Sequence, residues 1–126
     1  MTTHQILVVE DNERNMRLFC DVLQVSGYRT LEATTGEQAV ELVFEHRPDL
    51  VLMDIQLPDI DGVEALGRVR ADDGFDAVPI LALTAQAMEG DRERFLAAGF
   101  DGYLSKPVYI AEFVATVKRY CEDGSR

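Results

Sequence analysis

Short runs of apolar residues recur along the chain at fairly regular intervals. Three of them are continuous, at positions 6–9, 50–53 and 80–83, and two weaker ones lie at 28–33 and 102–104. Continuous runs rich in Val, Ile and Leu are typical of strands that are buried on both faces of a parallel sheet. The pattern therefore predicts five short strands.

Segments with helical spacing of apolar residues lie between these runs. The clearest has apolar residues at i, i+3, i+4 and i+7, which places them on one face of a helix. The stripes consist of Met16, Phe19, Cys20 and Leu23; Ala39, Leu42, Val43 and His46; Val63, Leu66 and Val69; and Ile110, Phe113, Val114, Val117 and Cys121. Gly27 and Gly99 stand where C-terminal helix caps belong.

Strands that alternate with helices predict a parallel α/β sheet with right-handed crossovers. Five strands in 126 residues favour a flavodoxin-like (βα)5 fold, a doubly wound sheet with the strand order 2-1-3-4-5. The length fits one domain. We expect that domain to cover residues 4–122 and residues 123–126 to form a short tail.

The charge of the chain restricts the classes of partner. There are 23 acidic and 12 basic residues, and the formal net charge is −11. This balance argues against binding to nucleic acid, which requires a basic surface, and against binding to an anionic membrane. No apolar run approaches membrane-spanning length, and the first residues do not resemble a signal peptide. We therefore expect a cytoplasmic protein.

Polar side chains follow four of the apolar runs. Glu10 and Asp11 follow the first run, Asp54 the run at 50–53, Thr84 the run at 80–83, and Lys106 comes shortly after the last. Ligands of open α/β sheets bind beyond the carboxyl ends of the strands. Each of these residues by itself would ordinarily be a loop residue or a helix cap. Their arrival at the same edge favours a site.

The residue types indicate which chemistry such a site can perform. Three neighbouring carboxylates repel one another, so either their pKa values rise or a cation lies among them. A hard divalent cation with oxygen ligands suits Mg²⁺. Asp54 is then a plausible nucleophile toward phosphorus. Lys106 would supply positive charge to the transferring oxygens, and Thr84 a hydrogen bond.

The same residues resemble those of a known family. The chain has the acidic pair Glu10-Asp11, the segment 54–62, the pair Thr84-Ala85 and the pair Lys106-Pro107. In this order and spacing they resemble the receiver domains of two-component response regulators, from His4 to Glu122. The resemblance implies that Asp54 accepts a phosphoryl group from a phosphohistidine.

The resemblance also implies roles for individual residues. Mg²⁺ would be bound by Asp11, by Asp54 and by the backbone carbonyl of Gln56, and Glu10 would assist, through water. The Lys106–Pro107 peptide bond is expected to be cis. Thr84 and Tyr103 would form the conformational switch, and Gln56 and Gln86 would tune the rate of dephosphorylation. Two simpler interpretations remain open. Tyr103 is then an ordinary half-buried aromatic residue of a strand, and the two glutamines are plain solvent-facing residues.

The implied partners are proteins. A histidine kinase, a histidine phosphotransferase or both would dock on the first helix, near Arg14, Asn15, Leu18 and Val22. Downstream proteins would bind the surface of the fourth helix, fifth strand and fifth helix, roughly residues 87–118. We expect a monomer or weak dimer. The segments 9–19 and 53–58 are similar to those of single-domain regulators of cell division, whereas 83–94 is similar to receivers that belong to hybrid histidine kinases.

Three other functions compete with this interpretation. A phosphatase of the haloacid-dehalogenase kind also uses a strand-end Asp and Mg²⁺, but it requires a second Asp where this chain has Gln56. A flavodoxin-type flavin carrier requires a phosphate-binding loop after the first strand, where Glu10 and Asp11 would repel the phosphate. A degenerate receiver would signal without phosphate, although here all the chemical residues are present.

Overall fold

The computed structural model describes residues 4–75, 77–85 and 91–122. Within them, five parallel strands form one sheet in the order β2-β1-β3-β4-β5, which confirms the predicted topology. The strands are β1 (Gln5–Val9), β2 (Arg29–Ala33), β3 (Leu50–Asp54), β4 (Ile80–Thr84) and β5 (Gly102–Ser105). The helices are α1 (Glu13–Val25), α2 (Gly36–His46), α3 (Gly62–Arg70), α4 (Asp91–Ala98) and α5 (Ile110–Glu122), with a 3₁₀ turn at Asp73–Phe75.

The two faces of the sheet carry separate apolar cores. Because side chains alternate along a strand, Leu7 and Val9 of β1 enter one core, whereas Ile6 and Val8 enter the other. The first core receives buried residues of α2, α3 and α4, and the second receives those of α1 and α5. Every residue of β3 and β4 is buried, as expected for central strands of a doubly wound sheet.

Helix ends are set by side chains close to them in the sequence. Asn12, rather than Asp11, caps α1, since its Oδ1 accepts a hydrogen bond of 3.0 Å from the backbone N–H of Asn15. Gly27 and Gly99, which follow α1 and α4, have φ angles of 95° and 116°, a region that favours glycine. Because Asn12 provides the cap, Asp11 remains available for the strand-end site.

Three stripe positions predicted to face the core are exposed instead. Val63 is 42% exposed and Ile110 is 55% exposed, and His46 at the end of α2 is exposed as well. Val63 lies roughly 200° around α3 from the buried Ala65, because each residue turns the helix by about 100°. Ile110 begins α5 and borders a groove against α1 instead of the sheet. None of the helices in the described ranges is long and apolar enough to span a membrane.

A polar network joins α3 to the edge of the sheet opposite the predicted site. The guanidinium of Arg70 lies 3.0 Å from the carboxylate of Asp101, and this carboxylate accepts a second hydrogen bond, of 2.8 Å, from the N–H of Ile80. The same guanidinium donates to the carbonyl oxygens of Phe75, Val78 and Gly99. Arg70 therefore links the end of α3 to the segment before β4 and to the segment before β5.

Candidate phosphoacceptor site

Asp54 lies at the carboxyl end of β3, where it is almost fully buried. Its Oδ1 accepts a hydrogen bond of 3.0 Å from the backbone N–H of Gln56, and its Oδ2 accepts one of 2.9 Å from the ammonium of Lys106. Each carboxylate oxygen thus has a donor. Asp54 is held by its own loop on one side and by the β5–α5 connection on the other.

Lys106 also connects Asp54 to the acidic residue that follows β1. Its Nζ lies 2.8 Å from Oε1 of Glu10, a residue that is only 1% exposed. Lys106 lies next to Thr84 at the strand ends, because its backbone N–H donates a hydrogen bond of 2.7 Å to the Thr84 carbonyl oxygen. The Lys106–Pro107 peptide bond is cis, as the resemblance implied. Residues that are far apart in the sequence therefore meet at one edge of the sheet.

The buried charges shift each other's pKa values. Burial raises the pKa of Glu10 to about 6, Asp54 acts in the same direction, and Lys106 opposes both. For Lys106, burial acts to lower the pKa, but the hydrogen bonds to Glu10 and Asp54 outweigh it and raise the pKa above its ordinary value. The ammonium therefore stays charged at neutral pH and compensates the two carboxylates.

The acidic residues form a cluster of oxygen ligands. One carboxylate oxygen from each of Glu10, Asp11 and Asp54 lies within 4.8 Å of the others. Glu10 and Asp54 are buried whereas Asp11 is exposed, so the cluster opens toward solvent on one side. A ligand set of oxygens alone suits a hard cation such as Mg²⁺. The role of the Gln56 carbonyl as a ligand stays a prediction.

A small cavity of about 60 Å³ lies directly beside Asp54. Its lining consists of Asp54, Ile55, Gln56, Thr84, Ala85, Arg94, Phe95 and Lys106. The structure thus brings Thr84 and Lys106 to Asp54, as expected. Arg94 on α4 was not predicted to line the site, because α4 has no clear apolar stripe that shows which of its sides packs on the sheet. The large apolar residue Phe95, which is buried next to Arg94, was the signal in the sequence that could have indicated this side.

The loop between β3 and α3 packs tightly against the backbone of Asp54. A Cβ added at Gly62 would meet the backbone carbonyl oxygen of Asp54 at 2.5 Å, and the Gly62 N–H donates to the carbonyl oxygen of Ile55 over 2.9 Å. Asp59 ties the same loop to α2 by accepting hydrogen bonds of 2.7 Å and 2.9 Å from the N–H groups of Gly36 and Glu37. This loop geometry requires glycine at position 62.

Tyr103 lies on β5 in the part of the chain predicted to switch. Its ring is half-buried, with its centroid 5.8 Å from that of Phe95 on α4. It borders a groove of about 530 Å³ that α4, β5 and α5 enclose, with Leu96 and Thr116 among the lining residues. Gln86 and residues 87–90 of the predicted output surface lie outside the described residues.

The residues predicted to dock partners on α1 fall on different sides of the helix. Leu18 is 43% exposed, and together with Asn15 it lines a groove of about 400 Å³ that reaches Lys106 and Pro107. Val22 lines a separate apolar groove between α1 and α5. Arg14 lines a third groove, with Glu13, Cys20 and Glu32. Of the four predicted docking residues, Asn15 and Leu18 therefore border the groove that reaches the site.

Comparisons with known proteins agree with this geometry. A family model described as the response regulator receiver domain matches residues 6–118. The polar-differentiation response regulator DivK of Brucella anthropi is 46% identical over 119 residues, which cover 94% of this chain and 97% of the relative. DivK of Brucella ovis is 44% identical over 122 residues, with 97% and 99% covered.

Solved structures show the same fold at similar length. The receiver domain of a sensor histidine kinase from Pseudomonas aeruginosa, with a magnesium ion coordinated in its active-site cleft, has a TM-score of 0.87 and 41% identity. The alignment covers 95% of this chain and 98% of that one. The chemotaxis response regulator CheY4 of Vibrio cholerae has a TM-score of 0.88 and 27% identity, with 94% and 98% covered. This chain belongs to the response regulator receiver family.

Proposed function

We propose that this chain accepts a phosphoryl group on Asp54 from a phosphohistidine, in the presence of Mg²⁺, and signals to partner proteins by a change of conformation. The observation that carries the proposal is the position of Lys106. Its ammonium lies 2.9 Å from the acceptor carboxylate and 2.8 Å from Glu10, inside an oxygen-lined cluster. Receiver domains are signalling domains that interact with histidine kinases and downstream targets.

The transfer step follows from the groups present. An oxygen of the Asp54 carboxylate attacks phosphorus and forms a new P–O bond. The P–N bond of the phosphohistidine breaks, and its electron pair returns to the imidazole, which takes up a proton. Lys106 pairs with a phosphoryl oxygen, and Thr84 donates a hydrogen bond to another. Each of these side chains lines the cavity beside Asp54.

Glu10, Asp11 and Asp54 would hold Mg²⁺, together with the backbone carbonyl of Gln56. Their close carboxylate oxygens fit a hard divalent cation, and neither His nor Cys is among them. When bound, the ion supplies positive charge that neutralises the transferring oxygens. Glu10 lies deepest and Asp11 is the most exposed, so we place Glu10 in a supporting role that is exerted through water.

The conformational response would use Thr84 and Tyr103. Thr84 ends β4 beside Asp54, and Tyr103 lies on the neighbouring β5, so a shift of Thr84 toward the phosphoryl group vacates space next to the Tyr103 ring. The ring borders the groove of α4, β5 and α5, which we propose as the output surface. Gln56, which is exposed beside the cavity, and Gln86 would tune dephosphorylation.

The curated relatives suggest the biological setting. The DivK relatives are polar-differentiation response regulators, and this chain aligns with 97% or more of their length. We therefore propose that the protein is a stand-alone cytoplasmic regulator in cell-division control. A kinase or histidine phosphotransferase would dock on α1, at the grooves that Leu18 and Val22 line. The protein would act as a monomer or weak dimer. The 41% identity to the receiver of a sensor histidine kinase favours a second candidate, a receiver that belongs to a hybrid kinase.

Phosphorylation by a small donor tests the site. Incubation with phosphoramidate and Mg²⁺ should add one phosphoryl group to the unaltered chain and none to Asp54→Asn, whereas Asp49→Asn, which changes an exposed carboxylate just before β3, should accept it normally. Intact-protein mass spectrometry gives the readout. Uptake by Asp54→Asn at the normal level would reject the assignment. Sustained turnover of an aryl phosphate would instead favour a phosphatase.

A further inference from the structure

The buried carboxylate of Glu10 has hydrogen-bond donors from two directions. Oε1 accepts from the ammonium of Lys106 over 2.8 Å and from the side-chain amide of Asn15 over 3.4 Å. Oε2 accepts from the backbone N–H of Asn12 over 3.3 Å. Lys106 approaches from the β5–α5 connection, whereas both asparagines belong to the start of α1. The carboxylate is thus held between two elements of the fold.

The start of α1 places Asn15 for this contact. Asn12 caps the helix and accepts the backbone N–H of Asn15 over 3.0 Å, which fixes the backbone of the first turn. Asn15 is the third residue of α1, half-buried, and its side chain turns back toward the residue that follows β1. A residue in this position has no part in the acidic cluster itself but touches one of its members.

Lys106 gains a further anionic partner when Asp54 is phosphorylated. In this structure its ammonium bonds to Glu10 and Asp54. A phosphoryl oxygen would then share the three N–H donors of the ammonium with these carboxylates. Among the described residues, the donors to Glu10 that the phosphoryl group does not share are the amide of Asn15 and the N–H of Asn12. Asn15 is the side chain that can hold the carboxylate throughout the cycle.

We propose that Asn15 is a positioning residue of the Mg²⁺ site, acting through Glu10. Its amide keeps the Glu10 carboxylate from rotating away from Asp11 and Asp54, so that the oxygen cluster is already arranged when the ion arrives. The inference rests on the proposed Mg²⁺-dependent function. Side chains that orient direct metal ligands typically change metal affinity by about 10-fold to 100-fold when they are removed. Because Glu10 would act through water, we expect an effect at the lower end of this range.

Direct Mg²⁺ binding tests the role without any measurement of phosphoryl transfer. Isothermal titration of the full chain with MgCl₂ should give an affinity for Asn15→Ala about 10-fold weaker than for the unaltered chain, the lower end of that range. Gln24→Ala is the matched control, since it removes an amide from the same helix that bonds to Thr30, away from the site. Its Mg²⁺ affinity should stay unchanged. Urea unfolding without Mg²⁺ verifies that both variants fold.

A second readout separates positioning from a merely structural role. The initial rate of phosphorylation by phosphoramidate, measured against Mg²⁺ concentration, should show a raised half-saturating Mg²⁺ in Asn15→Ala and a maximal rate close to normal. Mg²⁺ affinity of Asn15→Ala within twofold of the unaltered chain would overturn the role of Asn15 and leave the proposed function standing. Absence of Mg²⁺ binding by the unaltered chain would overturn both.

Discussion

The ammonium of Lys106 lies 2.9 Å from Oδ2 of Asp54, although 52 residues separate them in the chain. The pair sits at the end of two parallel strands with β4 between them, and the same ammonium reaches Glu10. A buried carboxylate is costly unless a cation or hydrogen bonds compensate it. Lys106 therefore holds the Asp54 carboxylate in place and supplies a compensating positive charge beside it.

The raised pKa of Glu10 predicts a pH-dependent stability. Because its pKa is about 6 in the folded chain against an ordinary 4.5, the folded chain binds more protons between these values than the unfolded chain. The contribution of Glu10 to the free energy of unfolding is therefore fully present below pH 4.5 and falls as the pH rises through 6. A shift of this size corresponds to about 2 kcal/mol.

The variant Glu10→Gln removes this titration. Relative to the unaltered chain, its free energy of unfolding should rise by about 2 kcal/mol between about pH 4 and pH 7. Urea unfolding without Mg²⁺ measures the difference. Glu41→Gln, which removes a carboxylate at an exposed position on α2, is the control for the loss of one acidic group. A difference for Glu10→Gln that stays constant with pH would contradict the raised pKa.

Gly62 and Gly67 on α3 should respond to alanine in opposite ways. At Gly62 the new methyl group would lie 2.5 Å from the carbonyl oxygen of Asp54, so Gly62→Ala should displace the acceptor loop and slow phosphorylation. A Cβ added at Gly67 would meet no neighbouring group within 4 Å, so alanine there should stabilise the helix by about 0.5–1 kcal/mol. Thermal unfolding and phosphoramidate uptake of both variants check these expectations. Equal changes in the two variants would contradict the close packing of Gly62 against the Asp54 backbone.

Arg70 and Arg68 offer a second matched pair. Both form ion pairs, but Arg70 is largely buried with Asp101 and donates to several carbonyl oxygens, whereas Arg68 is exposed with Glu64. Arg70→Met should lower the free energy of unfolding by about 2–4 kcal/mol, which is a smaller loss than the breaking of a fully buried ion pair causes. Arg68→Met should cost under about 1 kcal/mol. Chemical denaturation gives both values, and similar losses would argue against the network.

Arg94 should favour the approach of anionic phosphodonors. It lines the cavity beside Asp54, and an exposed cation contributes about 0.2–1 kcal/mol to an ionic contact. Arg94→Ala should therefore slow uptake from acetyl phosphate by up to about fivefold at low salt, and the difference should shrink at high salt. Arg119→Ala, which removes the same charge from α5, should have no effect. An equal slowing by both variants would indicate a general effect of net charge.

The sequence was sufficient for the order of strands and helices and for the edge where the site lies. Short apolar runs such as 50–53 that alternate with helical stripes are typical of buried parallel strands, and the residue after each run then falls at the carboxyl edge. Glu10, Asp54, Thr84 and Lys106 were found in this way. The acidic cluster was expected because three carboxylates arrive at this edge, where either their pKa values rise or a cation compensates them.

The tertiary structure decided which atoms meet. Whether Lys106 bonds to Glu10, to Asp54 or to both depends on distances between segments up to 96 residues apart, and no local pattern contains them. The contact of Asn15 with Glu10 and the presence of Arg94 beside Asp54 depend on how α1 and α4 turn against the sheet. Packing of the whole core sets that rotation, and periodicity defines it only where a helix has a clear apolar stripe, as α1 has and α4 does not.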